Sequence, residues 1–151
     1  MKKIRLSKSL LVKLAVIAGI AIAMLLAYWF DYQRAKEYTI ELYHISDETP
    51  IASQKERVSF TVRVTDGDGK PCKNHEIEAR CSKGQMVTML TRTDKDGFAT
   101  FVYAPYTDDG RPHNKAGEVT FELLELSNSV LIEVNATMKF SITLEKPEGV
   151  K

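Results

Sequence analysis

Residues 14–30 read LAVIAGIAIAMLLAYWF, seventeen positions without a charged side chain, and no other segment constrains the chain as much. As a helix this run rises about 26 Å. With Leu10 to Lys13 added, and Lys13 snorkelling toward the head groups, it reaches the roughly 30 Å of a bilayer's hydrocarbon core. Tyr28, Trp29 and Phe30 close the run and Asp31 follows at once, the order expected where an aromatic belt meets water. Residues 1–13 hold Lys2, Lys3, Arg5, Lys8 and Lys13 and no acid. The positive-inside rule therefore predicts a cytoplasmic N-terminus, with the rest of the chain outside a cell membrane. Ala21-Ile22-Ala23 has the small-x-small form of a signal-peptide site, but cutting there would leave MLLAYWF as an apolar terminus, so the expectation is an uncleaved single-pass anchor. Ala15, Gly19 and Ala23 recur every fourth residue, a spacing that lets a partner helix approach closely.

The expected organisation is a basic head (1–13), a membrane helix (14–30), a juxtamembrane linker (31–37) into which the helix continues briefly, one ectodomain (38–146) and a tail (147–151). From residue 31 onward there are 121 residues, enough for one compact domain with a core. All 20 acidic residues lie there against 16 of the 21 Lys and Arg, so the ectodomain carries −4 and the head +5. Nothing in that balance resembles the basic face that nucleic acid requires.

After the apolar run the period is two. Val58, Phe60, Val62 and Val64 alternate with Ser59, Thr61, Arg63 and Thr65, which gives a strand one buried face. Residues 66–71, DGDGKP, supply turn chemistry, and Ile77, Ala79 and Cys81 then alternate with charged neighbours. Gln85 to Arg92 forms a further apolar-rich segment. Ala99, Phe101 and Tyr103 face inward on the next strand, followed by Val119, Phe121 and Leu123. An irregular strand over Ser129 to Val134 and a regular one through Met138, Phe140, Ile142 and Leu144 complete the series. About seven short strands, with turns every 8 to 12 residues, predict an all-β immunoglobulin-like sandwich.

The segments FTVRVTDGDGKP (60–71), IEARC (77–81) and TRTDKDGFATF (91–101) set a strand, a D-x-x-G-x-P turn, a strand and a T-D-x-x-G-x-A turn in order. This resembles the bacterial Ig-like domains of the invasin and intimin type (Big-1-like) over roughly Tyr38 to Leu144. The resemblance implies an Ig-like sandwich in a cell-surface protein that serves as spacer, adhesive module or assembly part, and it brings no catalytic residues with it. Cys72 stands where the first turn usually carries an aliphatic residue.

Candidate chemistry is sparse. His44, His75 and His113 fall in a strand, a turn and a Pro-flanked loop, with no metal-ligand spacing. Asp66, Asp68, Asp94 and Asp96 form two Asp-x-Asp-Gly strings, weak candidates for a cation, and neither runs on to the spacing of an EF-hand. Cys72 lies in a turn and Cys81 ends a strand whose length separates them by on the order of 15 Å, beyond disulfide reach, so two free thiols are expected. No serine sits in a nucleophile motif. Tyr106, Asp108, Asp109, Arg111, His113 and Lys115 cluster in the longest irregular stretch, Pro105 to Ala116, and are the candidate partner contacts.

The reading is a non-enzymatic membrane-anchored module without cofactor. It binds another envelope or secreted protein as a structural or accessory subunit of a cell-envelope assembly concerned with surface appendages, adhesion or secretion. The alternative is a ligand-binding or sensory ectodomain that recognises an ion, a glycan or a wall component.

Overall fold

The computed structural model describes residues 8–53, 55–105, 116–128, 131–132 and 134–146. Helix α1 (Lys8–Ala35) takes up the apolar run and continues past it through Asp31 to Ala35, so that its 28 residues extend about 42 Å. It is long and apolar enough to cross a membrane. Its side chains are largely exposed until Asp31 and Ala35, which are buried.

Eight strands follow: β1 (Tyr38–Ile45), β2 (Val58–Asp66), β3 (Glu76–Cys81), β4 (Gln85–Met86), β5 (Leu90–Arg92), β6 (Phe98–Ala104), β7 (Gly117–Glu125) and β8 (Thr137–Leu144). They form two antiparallel sheets of four, ordered β1-β2-β6-β4 and β5-β3-β7-β8, an Ig-like β-sandwich as the alternation predicts.

Two expectations fail locally. Gln85 to Arg92 is two strands in different sheets, because the chain crosses the gap between them at Val87 to Met89. The Val87 and Thr88 amides both donate to the Val102 carbonyl (2.8 and 3.2 Å), and the Met89 carbonyl accepts from Ala79 (2.8 Å). The strand expected over Ser129 to Val134 is not seen in its described members either: Leu131, Ile132 and Val134 lie outside any ladder. The Leu131 and Ile132 amides donate instead to the Asp31 carboxylate.

The core lies between the sheets. Val58, Phe60, Val62 and Val64 from β2 and Ala99, Phe101 and Tyr103 from β6 face Ile77 and Ala79 from β3 and Val119, Phe121 and Leu123 from β7. Phe60 packs on Phe101, Phe121 and Phe140 at centroid distances of 5.4, 5.2 and 5.1 Å, and Tyr103 meets Phe121 edge-on at 4.8 Å. Such aromatic pairs add about 0.5–1.5 kcal/mol each beyond the area they bury.

Strand direction gives the sandwich two ends. Tyr38 pairs with Asp66 and Arg63 with Phe98, so the start of β1, the end of β2 and the start of β6 lie nearest α1. The end of β7 and the start of β8 join them there, since the residues between those strands reach Asp31. The ends of β6 and β8 and the start of β7 therefore lie at the far end. Residues 106–115, which hold all six loop positions singled out above, connect two of those far ends and fall outside the described residues.

Candidate functional site

Strand order leaves one side of the sandwich open. β1 is the outer strand of its sheet and β8 the outer strand of the other, and a groove of about 460 Å³ runs between them. Leu42, Ile45, Phe140 and Ile142 give it an apolar floor, while Thr49, Ser141, Thr143 and the acids Glu48 and Glu118 supply its polar lining. No Lys or Arg is among those residues. Beside the groove β1 slips register between Leu42 and His44, which leaves Tyr43 without a ladder partner, its ring packed on Phe98 at 4.7 Å. A bulge of this kind spoils an edge as a template for another strand. β8 carries no such defect: all eight of its residues pair with β7 in unbroken register, and its other side has no strand beside it, the one backbone pairing there among the described residues being that of Pro50 to Ala52 with Glu145, just past its end.

The acidic turns at the α1 end share one construction. Asp66 Oδ1 accepts from the Asp68 and Lys70 amides (3.0 and 2.9 Å), and Asp94 Oδ1 accepts from the Asp96 and Phe98 amides (2.8 and 2.9 Å). In each turn the glycine amide, Gly69 or Gly97, donates back to the Asp carbonyl. Both glycines hold positive φ, 77° and 79°, and a Cβ on Gly97 would lie 2.6 Å from the Val64 carbonyl oxygen. The carboxylates of Asp66 and Asp94 thus fasten their own loops. Asp68 and Asp96 are exposed beside Lys70 and Lys95. Among the described residues no three His, Cys, Asp or Glu side chains gather as a metal would require.

Of the histidines, His44 lies exposed on β1 and His113 is outside the described residues. His75 is the one with an acid partner: its Nδ1 lies 3.0 Å from Oε1 of Glu125, a fully buried carboxylate whose same oxygen accepts from the Ser127 amide. Thr93 supports this corner, accepting from the His75 amide and donating to the Cys72 carbonyl.

Cys72 is buried here, whereas Cys81 is half-buried at the end of β3; both are free thiols. Burial, then the Asp66 and Glu125 charges, push the Cys72 thiol above its usual range, and burial does the same for Cys81. Both stay protonated at neutral pH, the unreactive form. On α1, Ala15, Gly19 and Ala23 are exposed.

Sequence reasoning missed two contacts that define this molecule, the groove between β1 and β8 and the burial of Asp31. Glu125 had a signal: it continues the inward phase of Val119, Phe121 and Leu123.

These features define an Ig-like β-sandwich set on an apolar N-terminal helix, and domains of intimin share its fold. The C-terminal 282-residue fragment of intimin, solved in complex with the intimin-binding domain of the translocated intimin receptor, is similar with a TM-score of 0.50 and 21% identity, over 70% of this chain and 33% of that one. The D00-D0 domains of intimin match with a TM-score of 0.50 and 12% identity, over 71% of this chain and 48% of theirs. The chain spans a third to a half of the length of these fragments. At such identities the likeness is one of fold. No protein-family model matches the chain, and no curated protein matches its sequence.

Proposed function

We propose that the chain is a single-pass membrane protein with a cytoplasmic N-terminus, whose Ig-like domain docks another envelope or secreted protein without catalysing a reaction on it. The groove between β1 and β8 carries this reading. It combines an apolar floor, an acidic rim and a β8 edge that has no strand beside it from Thr137 to Leu144, the elements of strand addition in which backbone hydrogen bonds give affinity and neighbouring side chains give specificity. The matching segment is extended, apolar on one face and basic where it passes Glu48 and Glu118.

Recognition of a protein is in keeping with the intimin fragment, which was solved with its receptor domain bound. The basic head and the uncharged run of α1 support the orientation. The role that follows is an accessory subunit of an envelope assembly.

The test places a photo-crosslinking residue at the exposed Ser141 of the full-length protein in its native host. A defined envelope or secreted protein is expected in the crosslinked product, and it should be lost on Leu42→Lys together with Thr143→Lys, whose positive charges repel a basic segment. Absence of any specific protein overturns the docking reading and directs the search to cations and wall glycans, read by thermal shift.

A further inference from the structure

The apolar run ends at Phe30, and the next residue, Asp31, is fully buried. What covers it comes from a hundred residues further on. The Leu131 and Ile132 amides donate to Asp31 Oδ2 at 2.8 and 2.5 Å, which ties the segment between β7 and β8 to the helix at the level where its uncharged stretch stops. The side chains at this tie are apolar and uncovered: Leu131 is 59% exposed and Ile132 36%. Tyr28, Trp29 and Tyr32 are exposed at the same level of α1. Beside them a cleft of about 330 Å³ is lined by Tyr28, Tyr32, Lys36 and Tyr38, and the Lys36 ammonium sits 4.2 Å from the Tyr32 ring centroid. Aromatic rings with a lysine above an apolar run are the composition of a membrane's head-group layer.

We infer that the segment holding Leu131 and Ile132 is a second membrane contact, resting these two side chains in the boundary between head groups and acyl chains of the leaflet that α1 leaves, with Asp31 as its bolt. The inference rests on the reading of α1 as membrane-spanning. If Asp31 marks the edge of the hydrocarbon, two backbone amides within 2.8 Å of its carboxylate lie at that edge too, and their exposed aliphatic side chains fall inside the roughly 5–10 Å over which interfacial apolar groups bury. A carboxylate at this depth is costly unless its hydrogen bonds are made, and the two amides make them. Held by helix and segment together, the domain meets the bilayer in one attitude instead of swivelling on a single tether, and the groove between β1 and β8 keeps a fixed direction relative to the membrane.

Trp29 is the only tryptophan, which makes the test direct. Full-length protein is reconstituted in phosphatidylcholine/phosphatidylglycerol vesicles with and without phosphatidylcholine brominated near the head of its acyl chain. The unaltered chain reports on Trp29, and Trp29→Phe with Leu131→Trp reports on the segment. Blue-shifted emission from the second protein, quenched within twofold of the first, is the expected result. Adding Asp31→Ala to each should reduce quenching at position 131 at least twofold and leave that at Trp29 unchanged. Water-like, unquenched emission at position 131 beside a quenched Trp29 overturns the inference while leaving the anchor intact. Quenching at 131 that ignores Asp31→Ala overturns the bolt, and absence of quenching at both sites overturns the spanning reading and the inference with it.

Discussion

The two long sides of this sandwich are built from the same strand alternation and end differently. On one side the chain itself crosses from sheet to sheet between Met86 and Leu90, and the outer strands it leaves, β4 and β5, are two and three residues long. On the other side the described chain reaches across only at the far end, where Pro50 to Ala52, between β1 and β2, pairs with Glu145 just past β8; short of that bridge β1 and β8, eight residues each, face one another across a groove. The first side leaves little backbone to add to, the means by which sheets commonly avoid unwanted partners. On the second side, one strand is blunted by the bulge at Tyr43 and the other is left whole. Edge protection here is asymmetric.

Substitutions can break or sharpen that contrast. Phe121 belongs to both sides, touching Tyr103 toward the closed one and Phe140 (4.9 Å) toward the open one, so Phe121→Ala is expected to cost about 3–5 kcal/mol in a denaturant titration of the purified protein. Gly84, which immediately precedes β4 on the closed side, has φ of 77°, and a Cβ there would lie 2.5 Å from the Tyr103 hydroxyl and 2.6 Å from the Ala104 carbonyl oxygen. The clash adds to the strain of the left-handed backbone, and Gly84→Ala should cost about 2–4 kcal/mol by the same titration, with faster hydrogen exchange confined to the closed side. Phe140→Ala, in the half-buried floor of the groove, should cost only about 2 kcal/mol, because its ring already borders solvent. A cost equal to that of Phe121→Ala would show the open side to be as tightly packed as the closed one.

A smaller effect distinguishes the sides by pH. The Tyr103 hydroxyl donates to the Lys83 carbonyl (2.9 Å), and burial pushes its phenol well above the usual range. A raised acid stabilises the fold while the unfolded chain is still protonated and loses that contribution as pH climbs past the unfolded value of about 10. Tyr103→Phe should therefore cost about 1 kcal/mol at pH 7 through the lost hydrogen bond, with the gap from the unaltered protein closing above pH 10 in urea unfolding followed from pH 7 to 11. Leu42→Lys, exposed at the open side, should shift stability by less than about 0.5 kcal/mol in that assay. A larger loss would mean that the groove contributes to folding and is not kept for a partner.

Much of the sandwich was legible because its signal is local. The parity of Val58 to Val64 and of Val119 to Leu123 named the inner faces, and the two Asp and Gly turns announced themselves because each fastens its own backbone. Gln85 to Arg92 misled as a single element because a change of sheet leaves no mark in the period when both halves are apolar. Ser129 to Val134 misled because β-rich composition was read without its acceptor, and the amides of Leu131 and Ile132 are satisfied by a carboxylate on the helix. The groove was invisible for a related reason: which strands lie outermost is decided by strand order, a property of the whole chain and of no segment within it. The polar cluster from Tyr106 to Lys115 stood out in the sequence, and its six residues lie outside the described ones.

One consequence of strand direction is mechanical. β1 leaves α1 at the near end, and β8 finishes at the far end, alongside the start of β7. Tension between the helix and whatever grips the chain beyond Leu144 then runs along both outer strands, pulling the β1–β2 and β7–β8 ladders lengthwise in shear. Loaded that way, the rungs of each ladder share the force and yield together, where a pull across the strands would peel them one at a time.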